Sequence, residues 1–290
     1  MSSVQNIEPL EQLALSIGCY SAETIMAFFD SYASYNDAAG GDDHGFIVVS
    51  GWVSSLTNWL SFLGGWRTVL AEYHVPYFHM KEFSQSKGPF ASWKGNEEKR
   101  ARFLSSLVGV IKSNVEYGAS SVVDYKLYDN VNRRYYLREA CGTPYAFAAR
   151  SCMAHIQGYL REKHGGKLPD VRHVFEDGDK GKGELMRVVE KDGYAIPSFL
   201  PSRDRRAKDG SIVRGLVQLQ AADFAAYEMR KAYTDDPNEE WMPWEHRKSL
   251  QALGTIECWW GHWTVKNMVD ACKKANIRPR LGVAKSRSKK

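Results

Sequence analysis

The sequence contains few cysteines, and they are scattered along the chain. The 290 residues include five, at positions 19, 141, 152, 258 and 272, and no two of them form a C-x-x-C pair. An odd number without paired spacing argues against a disulfide framework and against a zinc cluster. We therefore expect a cytoplasmic protein whose thiols stay reduced.

Several other signals are also missing. No apolar run approaches the length of a bilayer span, and no charged-then-apolar leader opens the sequence, so we expect a soluble, unexported protein. The P-loop, H-E-x-x-H and G-x-S-x-G patterns do not occur, which removes the common NTPase, zincin and hydrolase interpretations. Solenoid repeats and low-complexity linkers are lacking too, so we predict one main domain.

Positive charge is concentrated at the C-terminus. The net charge is +5, yet residues 273–290 contain eight lysines and arginines and no acid, so residues 1–272 carry about −3. Affinity for phosphate is therefore expected to be local rather than spread over the surface. The basic tail is open to two interpretations, a segment that grips nucleic acid or a solvated terminus that aids solubility.

The order of apolar patterns predicts an α/β fold. Residues 25–31 and 44–55 predict two strands of a hairpin, and residues 32–43, rich in turn formers, predict the loop between them. Helical patterns then alternate with strand patterns as far as Tyr233, which predicts a mixed sheet covered by helices. We divide the chain into a main domain at 22–235, a Trp-rich helical extension at 236–272 packed on the core, and the basic tail at 273–290.

Isolated acids mark the ends of two predicted strands and one helix. Asp30 follows the apolar run "IMAFF", and Glu176 and Asp177 follow "VRHVF", with Asp179 just beyond the turn. Asp223 lies in "LVQLQAADFAAY", at the border of an apolar helix face. Burying an unpaired carboxylate costs several kcal/mol, so each of these acids needs a partner, solvent or a metal ion.

Two explanations are open for these acids. They can be unrelated, with Asp30 in an Asx turn, Glu176 and Asp177 in the turn before Gly178, and Asp223 paired with an arginine. Alternatively they converge, and a divalent cation that takes hard oxygen ligands relieves their mutual repulsion. Convergence of three such acids favours the cation.

The ordered set "FFDS", "FHMKEF…GPFASW", "HVFEDGDKGKGE" and "LVQLQAADFAAY" resembles the bacterial and phage family catalogued as domain of unknown function 3800 (DUF3800). That family is similar to ribonuclease H-like nucleases. The resemblance spans about Ile25 to Tyr233 and implies a ribonuclease H-like sheet with Asp30, Glu176 and Asp223 as catalytic metal ligands for Mg²⁺ or Mn²⁺. Where the family often has a second acid after the first aspartate, this chain has Ser31, and Asp177 or Asp179 can compensate.

The segment "YFHMKEF" adds two further catalytic candidates. His79 and Glu82, three residues apart, can share a helical face, with Glu82 as a fourth ligand and His79 as a proton shuttle or phosphate contact. The alternative is that His79 is a hydrogen-bonded structural residue.

Basic residues follow two of the acids in sequence and are candidates for nucleic-acid binding. They are Lys180, Lys182, Arg203, Arg205, Arg206 and Lys208. The leading hypothesis is a divalent-metal-dependent nuclease that hydrolyses phosphodiester bonds of DNA or RNA. The alternative is a catalytically inactive nucleic-acid-binding or partner-binding module of a bacterial or phage defence or mobile-element system.

Overall fold

The strand and helix patterns fold into a six-stranded mixed sheet with helices on both faces. A computed structural model describes Ala14, residues 31–237 and residues 247–280. The strands are β1 (Tyr32–Gly41), β2 (Phe46–Ser55), β3 (Tyr117–Asp124), β4 (Val171–Glu176), β5 (Ser198–Leu200), β6 (Arg205–Arg206), β7 (Ile212–Val213) and β8 (Cys258–His262).

The helices follow the three and four spacing of apolar residues. They are α1 (Leu56–Glu72), α2 (Met80–Ser84), α3 (Glu97–Asn114), α4 (Tyr125–Asn132), α5 (Leu137–Cys141), α6 (Pro144–Lys163), α7 (Lys182–Lys191), α8 (Val217–Asp235), α9 (Lys248–Leu253) and α10 (Val265–Lys274), with a 3₁₀ helix at Gly88–Trp93. Side-chain caps fix several starts, since Ser55, Asn96 and Thr143 each accept a backbone N–H from the first turn. Among the described helices, none has the length and apolar character needed to cross a membrane.

The strand order is β5-β4-β1-β2-β3-β8. β1 to β3 form an antiparallel meander, while β4 is parallel to β1, β5 to β4 and β8 to β3. Alternate residues of each strand point to opposite faces, and two apolar layers result. One layer packs α1, α3 and α8 on the sheet, and the other packs α6 with the smaller helices.

The prediction of a loop at residues 32–43 is wrong, because most of this segment is the central strand β1. Its glycines and small polar residues are typical of a turn, but β1 is hydrogen-bonded on both sides and its small side chains are buried. The buried Asn36 amide donates to Ser34 Oγ and to the carbonyl of Val174, both at 3.0 Å. Satisfied polar groups of this kind can occupy a sheet interior.

The C-terminal extension was predicted to be helical, and this is corrected in part. Besides α9 and α10 it supplies β8, which pairs with β3 and extends the main sheet. The segment "CWWGH" contains two adjacent tryptophans, and aromatic residues of this kind favour a strand. Trp260 stacks edge-on against Trp52, and Trp263 donates its Nε1–H to Ser121 at 3.0 Å, so the tryptophans of the described part pack on the core.

Candidate functional site

Asp37 lies on the central strand and faces α8. The parallel register pairs Asn36 with Phe175, and continuing it by one residue places Asp37 beside Glu176 on the same face. That face is the one carrying Tyr35 and Val174, which pack against α8. Asp37 is buried, and its Oδ1 accepts the N–H of Ala38 at 2.7 Å.

Glu176 ends β4 next to this position, as the sequence predicted for a strand-end acid. Its Oε1 accepts hydrogen bonds from Ser202 Oγ at 2.6 Å and from the Ser202 N–H at 3.4 Å. Ser202 follows β5, so the neighbouring parallel strand positions the carboxylate. The other oxygen, Oε2, receives no hydrogen bond from the part of the chain that the structure describes.

Asp223 lies on α8, where polar side chains border the apolar face of the helix. Gln220 accepts from Trp66 Nε1 and from the Phe78 N–H, and Tyr227 donates to Ser84 Oγ at 2.8 Å. Between them, Asp223 Oδ2 accepts the N–H of Met80, the first residue of α2, at 2.6 Å. Pairing of Asp223 with an arginine, one of the two alternatives, does not occur in the described chain.

The structure separates the three acids of the segment 176–179. All three line the same cavity, but Asp177 forms ion pairs with Lys182, at 3.1 Å, and with Arg205, whereas Asp179 forms no ion pair in the described chain. Gly178 (φ +137°) takes a backbone conformation that residues other than glycine rarely adopt, and this turns the chain between the two aspartates. Both acids proposed to compensate for Ser31 are therefore at the site, and Asp179 is the one whose charge no cation of the described chain compensates.

One cavity of about 540 Å³ brings the acids together. Five acidic residues line it, Asp37, Glu176, Asp177, Asp179 and Asp223, and among them Asp177 is paired with Lys182 and Arg205. Burial, and then the charges of Glu176, Asp223 and Asp179, raise the pKa of Asp37 well above its ordinary value. The convergence predicted for Glu176 and Asp223 is thus observed, with Asp37 as the acid of the first described strand.

The other pKa shifts in the cavity have the same origin. Burial raises the pKa of Asp223 to about 7 against the opposing hydrogen bond from Met80, and burial with the Glu176 charge raises that of Asp179 to about 7. Burial and Asp223 raise the pKa of Glu176, although Ser202 opposes them. In Asp177 the pKa is lowered, since the hydrogen bonds from Arg205 and Lys182 outweigh its partial burial.

His79 lies at the cavity between two acids. It is the residue before α2, with Nε2 at 3.8 Å from Asp223 Oδ1 and Nδ1 at 3.8 Å from Glu82 Oε1. The Nδ1 atom is buried without a hydrogen-bond partner, which differs from the hydrogen-bonded structural histidine that the sequence left open. Burial, the largest influence, lowers the pKa of His79, so the ring is neutral at pH 7.

Glu82 stands behind His79 and not in the cavity wall. It accepts from Tyr77 Oη at 2.8 Å and from Arg203 Nη1 at 3.0 Å. Burial alone would raise its pKa, but these two hydrogen bonds outweigh burial and lower it. The carboxylate is thereby engaged by the chain itself, which suits a residue that positions His79 better than a fourth metal ligand.

Most of the predicted nucleic-acid-binding cations are in ion pairs. Lys182 and Arg205 contact Asp177, Arg203 contacts Glu82, and Lys180 lies 3.5 Å from Asp42. Arg206 and Lys208 are exposed on or beside the β6–β7 hairpin. These six residues are not part of the cavity wall.

Asp30, the first acid assigned from the sequence, lies outside the described residues. Sequence reasoning missed Asp37, because "SYNDAAGG" has the composition of a turn and pairing between β1 and β4 leaves no local trace. It also missed Lys81 and Arg230 in the cavity wall. The one available signal was the spacing of Asp223, Tyr227 and Arg230, which places them on one helix face.

The donor set fits a hard divalent cation in its chemistry. Asp37, Glu176 and Asp223 each keep one carboxylate oxygen to which the described chain donates no hydrogen bond, and Mg²⁺ and Mn²⁺ prefer such oxygens. Within residues 31–237 and 247–280, however, no three histidine, cysteine, aspartate or glutamate side chains are already drawn together as a metal-binding group. The carboxylates would have to move closer to bind one.

Comparison of the chain with protein-family models, with curated proteins and with solved structures found no match.

Proposed function

We propose that this protein is a divalent-metal-dependent nuclease with a ribonuclease H-like domain. The observation that carries the proposal is the gathering of five acidic residues in one cavity, of which Asp37, Glu176 and Asp223 have no cationic side chain paired to them in the described chain. A first-strand acid, a strand-end acid and a helix aspartate are also what the DUF3800 resemblance implies, with Asp37 in the role first given to Asp30.

Asp37, Glu176 and Asp223 would hold Mg²⁺ or Mn²⁺, with Asp179 as the further acid. Such a cation supplies activation of water and stabilisation of the charge on the leaving oxygen of a phosphodiester. Deprotonation of the acids, which burial opposes, is favoured once a cation compensates their charge.

His79 supplies the proton chemistry that the acids lack. Its ring is neutral at pH 7, and Nε2, on the Asp223 side, is the nitrogen that can accept or return a proton in the cavity. Glu82, held by Tyr77 and Arg203, lies 3.8 Å from the other ring nitrogen, where its charge favours an imidazole that carries its proton on Nδ1. The pair thus acts as a positioned general acid or base.

A cleavage assay tests the proposal. Single-stranded and duplex DNA and RNA are each incubated with wild-type protein and Mg²⁺, Mn²⁺ or EDTA. We expect metal-dependent cleavage that Asp37→Asn and Asp223→Asn reduce at least 100-fold. Asp177→Asn is the matched control, because Asp177 lines the same cavity but its charge is already compensated by Lys182 and Arg205, so this variant should retain most activity. The same change at Asp30 tests the assignment made from sequence.

One observation favours a second function, a module that binds nucleic acid without cleaving it. The described acids are not pre-assembled as a metal-binding group, and Asp37, like Asp30, is followed by a residue that is not an acid, here Ala38. Binding of nucleic acid without cleavage under any of the metal conditions would support the module and overturn the nuclease.

A further inference from the structure

The cations nearest the acids in sequence are not the ones best placed to contact a substrate. Arg203, Arg205 and Lys182 are each within 4 Å of a carboxylate of this chain, so their charge is largely compensated. A phosphate that approached them would have to compete with Glu82 or Asp177. These residues hold the β6–β7 hairpin and the 177–181 turn in place.

Two other cations, Lys81 and Arg230, are in the wall of the cavity that contains the acids. Neither forms an ion pair with the described residues. Lys81 is exposed on α2, directly after Met80, whose N–H binds Asp223. The positive charge of Lys81 reaches the site, because it is one of the charges that lower the pKa of His79, although burial lowers it more.

Arg230 lies on the same face of α8 as Asp223. Asp223, Tyr227 and Arg230 are spaced by four and three residues, so a rise of 1.5 Å per residue places Arg230 about 10 Å further along the axis. Its guanidinium stacks on the Tyr227 ring with 4.8 Å between them, and Tyr227 is hydrogen-bonded to Ser84 of α2. The two helices therefore form one wall that leads from the acids to Arg230.

We propose that Lys81 and Arg230 bind the backbone phosphates of a nucleic-acid strand next to the one held at the acids. The strand leaves the acids along α8 and α2 and not across the basic β6–β7 hairpin. This inference rests on the proposed function for its substrate class and adds the path of the strand. Arginine suits the outer position because its planar group binds phosphate while stacked on an aromatic ring.

The test measures binding in EDTA, so that it does not depend on cleavage. Labelled single-stranded and duplex DNA and RNA are titrated with wild type and with the double variant Lys81→Gln/Arg230→Gln at several salt concentrations. We expect at least a tenfold loss of affinity for the preferred nucleic acid. The slope of log affinity against log salt should fall by about 1.4 for single strands or 1.8 for duplex.

The matched control is Arg206→Gln/Lys208→Gln, which removes the same charge from exposed hairpin positions outside the cavity wall. It should change affinity less than threefold. An equal loss in both double variants, an unchanged salt slope in the first, or no binding by the wild type to any of the four nucleic acids would overturn the inference. Thermal melting of each variant confirms that it is folded.

The outcome also separates this inference from the nuclease proposal. If the wild type binds through Lys81 and Arg230 but never cleaves with Mg²⁺ or Mn²⁺, the result supports the proposed strand path and contradicts the nuclease proposal. If cleavage at substrate concentrations below KM is unaffected by Lys81→Gln/Arg230→Gln, the result supports the nuclease proposal and contradicts the strand path.

Discussion

Asp223 is enclosed among alanines and large apolar side chains on α8, and it receives one backbone N–H. That hydrogen bond ties α8 to α2, but it does not neutralise the carboxylate, whose pKa is raised to about 7. A charge in this position is costly unless a cation accompanies it. The residue is therefore suited to binding a cation more than to stabilising the metal-free protein.

Asp223→Asn is expected to raise the melting temperature of the metal-free protein. The change keeps the volume and removes repulsion from Glu176, and the amide oxygen can still accept from Met80. With Mg²⁺ or Mn²⁺ the order should reverse, because only the wild type gains stability from the cation. Melting curves with and without each ion check this. A wild type that gains nothing from either ion, beside a variant that melts much earlier, would defeat the metal site.

The pKa of Asp223 also predicts a pH dependence in EDTA. An aspartate has a pKa near 3.9 when unfolded and about 7 here, so between these values the folded state binds the extra proton. The contribution of Asp223 to stability is complete below pH 4 and is lost as pH rises through 7, a cost of about 4 kcal/mol.

The comparison that isolates this group is wild type against Asp223→Asn at pH 5 and pH 8. The variant should gain stability relative to wild type as pH rises, measured by urea unfolding. A difference that is constant across this range would show that Asp223 ionises normally in the folded state.

At the scale of elements, the contact between β1 and β2 depends on a glycine. Gly51 lies opposite Asn36, and a Cβ added there would meet Asn36 Oδ1 at 1.9 Å. The Asn36 amide cannot retreat without breaking its hydrogen bonds to Ser34 and Val174. The close approach is thus built into the central pair of strands.

We expect Gly51→Ala to destabilise the protein by about 1–3 kcal/mol, from overpacking and from loss of Asn36 hydrogen bonds. Gly64→Ala is the control, since Gly64 is exposed in α1 and a Cβ there meets nothing within 4 Å. It should stabilise by about 0.5–1 kcal/mol. Equal effects of the two changes in urea unfolding would contradict the role given to the Asn36 contact.

The elements were predictable to different degrees, for physical reasons. α1, α3, α6 and α8 carry apolar residues at three and four spacing, and that period alone predicts them. β1 was missed because its burial comes from neighbours far along the chain. Ser34, for example, hydrogen-bonds to His173, and a window around residue 34 contains no sign of that partner.

At the scale of the whole molecule, the C-terminal extension is joined to α8 by an ion pair whose carboxylate is fully buried. Glu228 on α8 is fully buried and accepts from Arg247 and from Ser249 Oγ, the latter at 2.6 Å. Arg247 and Ser249 lie just beyond residues 238–246, which the structure does not describe. The ion pair therefore holds the start of the described segment 247–280 against α8.

Glu228→Gln should destabilise the protein by about 3 kcal/mol, because Arg247 loses its carboxylate while partly buried. Asp235→Asn, which removes one partner of the solvent-accessible Lys231–Asp235 pair on the same helix, should cost under 0.5 kcal/mol. Urea unfolding of both variants provides the comparison. A Glu228→Gln variant as stable as Asp235→Asn would show that the pair does not anchor the extension.

The structure describes the basic tail only as far as residue 280. Arg280 donates to the carbonyls of Asn132 and Tyr135, so residues up to 280 dock on the body. Lys285, Arg287, Lys289 and Lys290 lie outside the described residues.

Deleting residues 281–290 should flatten the salt dependence of nucleic-acid binding if these four cations contact phosphates, by up to about 3 units of slope. Fluorescence titration of full-length and truncated protein measures it. An unchanged slope would show that this segment is passive.

The acids of the candidate site were predictable in part. Glu176 and Asp223 stand out because each interrupts an apolar pattern. Asp37 does not, since it is surrounded by residues that favour turns, and only the pairing of β1 with β4 brings it to Glu176. The cations of the cavity wall were equally hidden, because which cations are already paired depends on side chains from several elements.

The position of β1 between β2 and β4 also has a consequence for synthesis on the ribosome. A chain that has grown only through β3 has one side of β1 unpaired, with Asp37 open to water, until residues 171–176 arrive about 50 residues later. The cavity cannot close before residue 223 has emerged, so a cation bound there would stabilise no precursor that ends before that residue. Premature termination before β4 leaves an exposed strand edge, the feature by which unfinished chains of this kind associate with one another.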